Sequence, residues 1–195
     1  MEKIVFATNN AHKLEEVRRM LGGRFELLSL SDIGCHDDIP ENGDTFEENA
    51  LAKARWVKDR YGYDCFADDS GIEADGLGGA PGVHSARYAG GHGDDEANNR
   101  KLLAELEGVA NRHGRFRCSI VLLMGDDEPR VFNGAVEGEI MHAPSGSGGF
   151  GYDPLFRPDG WDCSFAEVAP DRKHAISHRG RAVAALVEYL AAKGC

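Results

Sequence analysis

Two kinds of apolar spacing alternate along this chain. Lys3 to Thr8 (KIVFAT) is a short continuous apolar run and reads as a buried strand. Beyond the polar turn Asn9 to His12, Leu14, Val17, Met20 and Leu21 recur at helical spacing, and Gly22-Gly23 supplies a stop. Phe25 to Leu30 reads as a second strand, so the opening predicts a strand–helix–strand unit. Ser31 to Asp44 is an acidic loop containing Gly and Pro. Thr45-Phe46-Glu47-Glu48 then fits the T-x-x-E capping box, and the helix it opens carries Ala50, Leu51, Ala54, Val57 and Tyr61 on one face before Gly62 ends it.

Asp64 to Asp69 reads as a strand ending in two carboxylates, and Asp68 to Gly71 as a turn, since Asp, Ser and Gly are turn formers. Gly71 to Gly93 has little periodicity and is expected to be loop, with at most a short strand at Ile72 to Ala74. Asp94 or Asp95 can cap a helix whose apolar face is Ala97, Leu102, Leu103 and Leu106. Arg115 to Met124 is a strong strand. The turn residues GDDEP lead into another at Arg130 to Val136, with room to continue to Met141, which predicts a hairpin. A Gly-rich loop, Ser145 to Pro154, follows. Ser177 or a neighbour opens the last helix, with Ala182, Leu186, Val187 and Leu190 on its apolar face. The pattern is α/β with an antiparallel element, which argues against a purely parallel doubly wound sheet. No repeat, linker or low-complexity tract divides the chain, so residues 1–195 are expected to form a single domain.

Charge narrows the partners. The formal net charge is 22 − 33 = −11. Such a chain repels polyanions, which argues against nucleic acid polymers but not against a small anion met by a few converging cations. The five cysteines, Cys35, Cys65, Cys118, Cys163 and Cys195, are odd in number and form no C-x-x-C pair. Neither a disulfide framework nor a structural zinc site is expected, and a reducing cytoplasmic setting fits. No apolar run approaches the length of a membrane span, so no membrane partner is expected.

Five segments carry candidate chemistry. Thr8-Asn9-Asn10-Ala11-His12-Lys13 stands where a strand becomes a helix; helix N–H groups and the Lys13 charge attract anions, while an Asn cap beside a solvated Lys is the plainer alternative. It is not a P-loop, having no G-x-x-x-x-G-K-S/T. Asp68-Asp69-Ser70-Gly71 offers carboxylates at a strand end, suited to Mg²⁺ or to a general base. Glu41 could complete a metal site with Asp69, whereas Glu47 and Glu48 are read as helix N-terminal acids. In Gly146 to Asp153 (GSGGFGYD) the glycines permit close backbone approach, Phe150 could stack on a base, and Asp153 could read a polar edge. Lys173 with Ser177-His178-Arg179 gathers cations and donors at a helix start, against the helix dipole.

Taken together, TNNAHK, TFEENALAKA, ADDSG, GGAPGVHSARYAG, SGGFGYDPLF and AISHRG occur in one order over nearly the whole chain. They resemble the inosine triphosphate pyrophosphatases, also called dITP/XTP pyrophosphatases, which remove non-standard purine nucleotides. The resemblance implies an α/β fold of two lobes on a long mixed sheet flanked by helices, with substrate in the cleft between them. It also implies a homodimer, and Mg²⁺-dependent cleavage of a nucleoside triphosphate into monophosphate and pyrophosphate. It assigns Asp69 as proton acceptor and metal ligand and Glu41 as metal ligand. Thr8, Asn10, Lys13 and Ser70 become substrate contacts, and Phe150, Gly151, Tyr152, Asp153, Lys173, His178 and Arg179 nucleotide-binding residues, with Phe150 in the stacking place. Two departures stand out. His84 replaces an aromatic residue common in the family, and PDRKHAISHR replaces a more acidic approach to the last motif. Related pyrophosphatases for other modified nucleotides, and a non-catalytic nucleotide sensor, are the alternatives; Asp69 and Glu41 count against the sensor.

Overall fold

The computed structural model describes residues 1–91 and 93–193; His92, Gly194 and Cys195 lie outside the described residues. The strands are β1 (Glu2–Phe6), β2 (Phe25–Leu28), β3 (Cys65–Ala74), β4 (His113–Leu123), β5 (Arg130–Ile140) and β6 (Phe156–Pro158). The helices are α1 (Ala11–Leu21), α2 (Phe46–Tyr61), α3 (Asp95–Glu105), α4 (Pro170–His174) and α5 (His178–Lys193), with short 3₁₀ turns between elements. Among the described residues the strands form one mixed sheet in the order β2-β1-β3-β4-β5-β6. β1 lies parallel to β2, with Glu2 opposite Phe25 and Val5 opposite Leu28, and parallel to β3, with Phe6 opposite Phe66. Parallel neighbours need a crossover, and α1 and α2 supply it. β5 and β6 are antiparallel.

The chain divides into two compact units. The first comprises Met1–Asp69, Ser119–Asn133 and the chain from Ala182 onward; the second comprises Ser70–Cys118 and Gly134–Arg181. Val5, Ala7, Ala50, Ala54, Val57, Cys65, Ala67 and Val121 make the core of the first unit. Ala50 and Ala54, one turn apart, let α2 come close to its neighbours, because neither side chain extends beyond Cβ. In the second unit Ile72, Leu102, Leu106, Val136, Ile140 and Leu155 surround an aromatic group. There Phe116 meets Phe156 edge-on at 4.7 Å between ring centres.

The helix signals are realised with small changes. Thr45 caps α2 by accepting from the Glu48 N–H (3.1 Å), but Glu48 answers to the Asp44 N–H (2.8 Å), one residue before the cap. Asp94 caps α3, and Ser177 Oγ accepts from the Gly180 N–H at the start of α5 (3.0 Å). One expectation fails and another is met. The stretch Asp68 to Gly71 is not a turn: β3 runs straight through it to Ala74, taking in the short strand expected at Ile72 to Ala74. Ile72 and Ala74 are fully buried, and the Ile72 N–H bonds to Ser85 Oγ at 3.0 Å. Burial and partners for the backbone therefore override the turn preference of the residues before them. β6 and α4, three and five residues long, are too short to show a period and were not anticipated.

Cys35, Cys65 and Cys118 are buried thiols. Among the described residues no helix is long and apolar enough to cross a membrane.

At the end of α2, Asp64 accepts from Lys58 Nζ (2.6 Å) and from the Gly125 N–H (2.8 Å). Burial works against its charge, but these bonds win and its carboxyl lies below the usual value. Its contribution to stability is therefore present above the ordinary aspartate pKa and is lost as pH falls through the lowered one. Asp64→Asn should be less stable than the wild type at neutral pH, and urea midpoints should show the difference shrinking below roughly pH 4.

Candidate active site

The carboxylate cluster grows out of α2 and β3. The first turn of α2 grips the preceding loop. Glu48 takes the Asp44 N–H, and the Asn49 side-chain oxygen takes the Gly43 N–H (2.8 Å). Gly43 is required by this close approach, since a Cβ there would stand 2.8 Å from both Asn49 Oδ1 and Glu48 Cβ. The grip sets Glu41, whose carboxylate meets Lys53 Nζ at 2.7 Å, one turn further along α2. Asn49 also donates its amide to Asp69 Oδ2 at 3.0 Å. On β3, Asp68 is buried and ion-paired to Lys13 Nζ at 3.1 Å.

Three carboxylates, Glu41, Asp68 and Asp69, thus share two ammonium groups, Lys13 and Lys53, a formal balance of −3 + 2 = −1. Burial alone would lower the Lys53 pKa, but Asp68, Glu41 and Asp69 outweigh it and hold the amine charged. Burial raises Asp69 to about 6; Lys53 and Asn49 pull it down, while Glu41 and Asp68 push it further up. Asp69 is therefore held closer to its neutral form than an ordinary aspartate.

The first candidate segment combines both of its sequence alternatives. Asn10 does cap α1, its Oδ1 accepting from the His12 and Lys13 N–H groups (3.0 and 3.2 Å), and Thr8 Oγ1 accepts from the Asn10 N–H (3.1 Å). These helix N–H groups already have an acceptor, which weakens their expected role toward an anion. Lys13, however, is not a solvated surface lysine, with its side chain 17% exposed and paired to Asp68.

In the second unit another group assembles around Phe150. Asp153 accepts from the Phe150 N–H (3.1 Å) and from Lys173 Nζ (2.6 Å), and both Asp153 and Lys173 are buried. Lys173 Nζ lies 4.6 Å from the Phe150 ring centre and the Arg179 guanidinium 5.5 Å. Both are within cation–π range. Arg179 Nη2 reaches Ser70 Oγ at 3.2 Å. The buried His178 ring stacks on Phe116, 4.8 Å between centres and 13° from parallel. Gly149 has φ +67°, and a Cβ there would lie 2.1 Å from Asp153 Oδ2, so only glycine leaves that carboxylate in place. Tyr152 differs from its neighbours: its hydroxyl donates to the Ser85 carbonyl (2.6 Å) and its ring belongs to the core.

Sequence reasoning missed Lys53 and Asn49. The available signal was their spacing, i and i+4 on α2, next to the small residues Ala50 and Ala54 of the buried face. A polar pair flanking such a face must find buried partners.

The cluster suits a hard cation held together with a polyphosphate. Its donors are oxygens, and among the described residues no group of three or more His, Cys, Asp or Glu side chains forms a self-sufficient metal cage. Mg²⁺ is commonly held by one or two carboxylates plus substrate phosphates and water.

A mixed sheet flanked by helices, with a carboxylate–lysine cluster in the first unit and an aromatic ring beside two buried cations in the second, defines an α/β protein. Comparison with known proteins agrees and is more specific. The model of the Ham1 family matches residues 4–189, and the chain belongs to that family. A dITP/XTP pyrophosphatase of Christiangramia forsetii is 51% identical over 188 residues, 96% of this chain and 98% of that protein. One from Porphyromonas gingivalis is 51% identical over 97% of this chain and 98% of its own length. The structure of the Staphylococcus aureus Ham1 protein superposes with a TM-score of 0.91 at 38% identity, covering 98% of this chain and 100% of that one.

Removing one member of a buried ion pair strands the other. Asp153→Ala should destabilise the protein by about 3–5 kcal/mol, read from the denaturant midpoint. A loss under 1 kcal/mol would show that Lys173 does not depend on Asp153.

Proposed function

We propose that this protein hydrolyses non-standard purine nucleoside triphosphates (ITP, dITP and XTP) to the monophosphate and pyrophosphate, with Mg²⁺, and so removes them from the nucleotide pool. The observation that carries the reading is the buried cluster of Glu41, Asp68 and Asp69 with Lys13 and Lys53. The relatives named dITP/XTP pyrophosphatase support the substrate class.

Hydrolysis between the α- and β-phosphates needs charge neutralisation and in-line positioning of water more than covalent chemistry. Lys13 and Lys53 supply fixed positive charge for the phosphates, and Thr8 and the Asn10 amide add hydrogen-bond donors. Asp69 and Glu41 would hold Mg²⁺, which when bound neutralises phosphate charge and acidifies its water. Asp69 orients the attacking water and accepts its proton. Asp68 holds Lys13 in place.

At the other end of the substrate, Phe150 stacks on the base. Lys173 lies beside that ring and pairs with Asp153. Arg179 and His178 offer donors to the 6-carbonyl of hypoxanthine or xanthine. Adenine presents an amino group there, and donor facing donor is penalised. Ser70 binds Arg179 and presents its hydroxyl to substrate; it is not a nucleophile. The side chain of Tyr152 stays in the core, and Gly151 serves the site through its place beside Phe150. A cytoplasmic homodimer completes the proposal, resting on the resemblance to the family.

Incubation with ITP, dITP, XTP, GTP, ATP and UTP plus Mg²⁺ should release pyrophosphate from the first three in preference to the rest. Orthophosphate as the product, or no turnover of ITP and XTP, would overturn the reading. Asp69→Asn should lower kcat by roughly two or more orders of magnitude, and near-normal turnover in that variant would remove Asp69 from the chemistry. Removing divalent metal with a chelator should abolish activity, and adding Mg²⁺ back should restore it.

A further inference from the structure

The loop that presents Phe150 is held from a helix with no assigned role. On α3, the Asp95 carboxylate accepts from the Gly151 N–H at 2.8 Å, and one turn later the Asn99 amide donates to the Gly151 carbonyl at 3.2 Å. Both polar groups of the residue after Phe150 are therefore bound to one helix face, at i and i+4. The Phe150 N–H is bound by Asp153. The backbone is pinned on either side of the ring, at a place where Gly149 (φ +67°) and Gly151 (φ +61°) would otherwise let it move.

The helix is itself well anchored. Asn98 accepts from the Ala89 N–H (2.8 Å) and donates to the Ala86 carbonyl (3.1 Å), while Leu102 is fully buried. Asn99 Oδ1 is buried without a hydrogen-bond partner among the described residues, so this side chain is kept at a cost in desolvation while its amide serves the loop.

We infer that Asp95 and Asn99 are positioning residues that fix Phe150 for stacking on the purine base, and so govern substrate affinity and base discrimination. The inference rests on the proposed nucleotide pyrophosphatase activity. Both residues belong to the second unit, whereas the carboxylate cluster belongs to the first. Their loss should weaken binding of the base and spare the chemical step.

The test compares Asp95→Ala, Asp95→Asn and Asn99→Asp, with Glu96→Ala as control. Glu96 lies in the same first turn of α3 and pairs with Arg100, so its removal costs the same helix-end charge without touching the loop. Asp95→Ala and Asn99→Asp should raise KM for ITP about five- to tenfold with kcat changed less than about threefold, the scale of one lost hydrogen bond to a charged or carbonyl partner. Asp95→Asn keeps an accepting oxygen and should restore most of the affinity; Glu96→Ala should leave KM unchanged. In a Phe150→Ala background the effect of Asp95→Ala should vanish. Amide hydrogen exchange at Gly151 should accelerate in Asp95→Ala while the melting temperature stays put.

Wild-type turnover of ITP with KM unmoved in both loop variants, or an undiminished Asp95→Ala effect without Phe150, overturns this inference and leaves the activity standing. A wild-type protein that cleaves neither ITP nor XTP overturns the activity, and this inference with it.

Discussion

Burial of charge in the middle of β3 is the constraint on which the rest of the first unit depends. Asp68 and Asp69 directly follow the fully buried run Cys65-Phe66-Ala67, and desolvation there is costly for a carboxylate. Every nearby polar device answers that cost. Lys13 at the start of α1 pairs with Asp68, Asn49 bonds to Asp69, and Lys53 on α2 is held charged by the three carboxylates around it. The loop that brings Glu41 is fixed by the same turn of α2 that supplies Asn49. The three carboxylates and two lysines sum to a formal −1.

The second unit solves a different problem, that of holding an aromatic ring in a glycine-rich loop. Glycine allows the tight backbone path but brings flexibility with it. Asp153 and Lys173 fix the path from within as a buried pair, and α3 fixes it from the side. Preorganising a flat stacking surface lowers the entropy lost when a flat ligand binds.

Much of the fold was legible in the sequence, because periodicity reports burial directly. The helices carrying Val17, Ala54, Leu102 and Leu186 and the strands around Ile4, Phe66 and Ile120 were all readable from their spacing. The continuity of β3 through Ser70 and Gly71 was not. Asp, Ser and Gly prefer turns locally, and only the buried positions of Ile72 and Ala74, with Ser85 against the Ile72 N–H, keep the chain extended. The three-residue β6 and five-residue α4 escape detection for want of length.

The ordered motifs by themselves named the residue types expected at the site: a carboxylate pair on a strand, lysines near two helix starts, an aromatic ring among glycines. Tertiary structure decided their partners. It joined Asp68 to Lys13 across 55 residues, added Lys53 and Asn49 to the cluster, turned Tyr152 into the core, and placed Lys173 beside Phe150. The physical reason is that a charged or polar side chain takes its role from what surrounds it. Burial, neighbouring charge and hydrogen bonds set that role, and all three arise from residues distant in sequence.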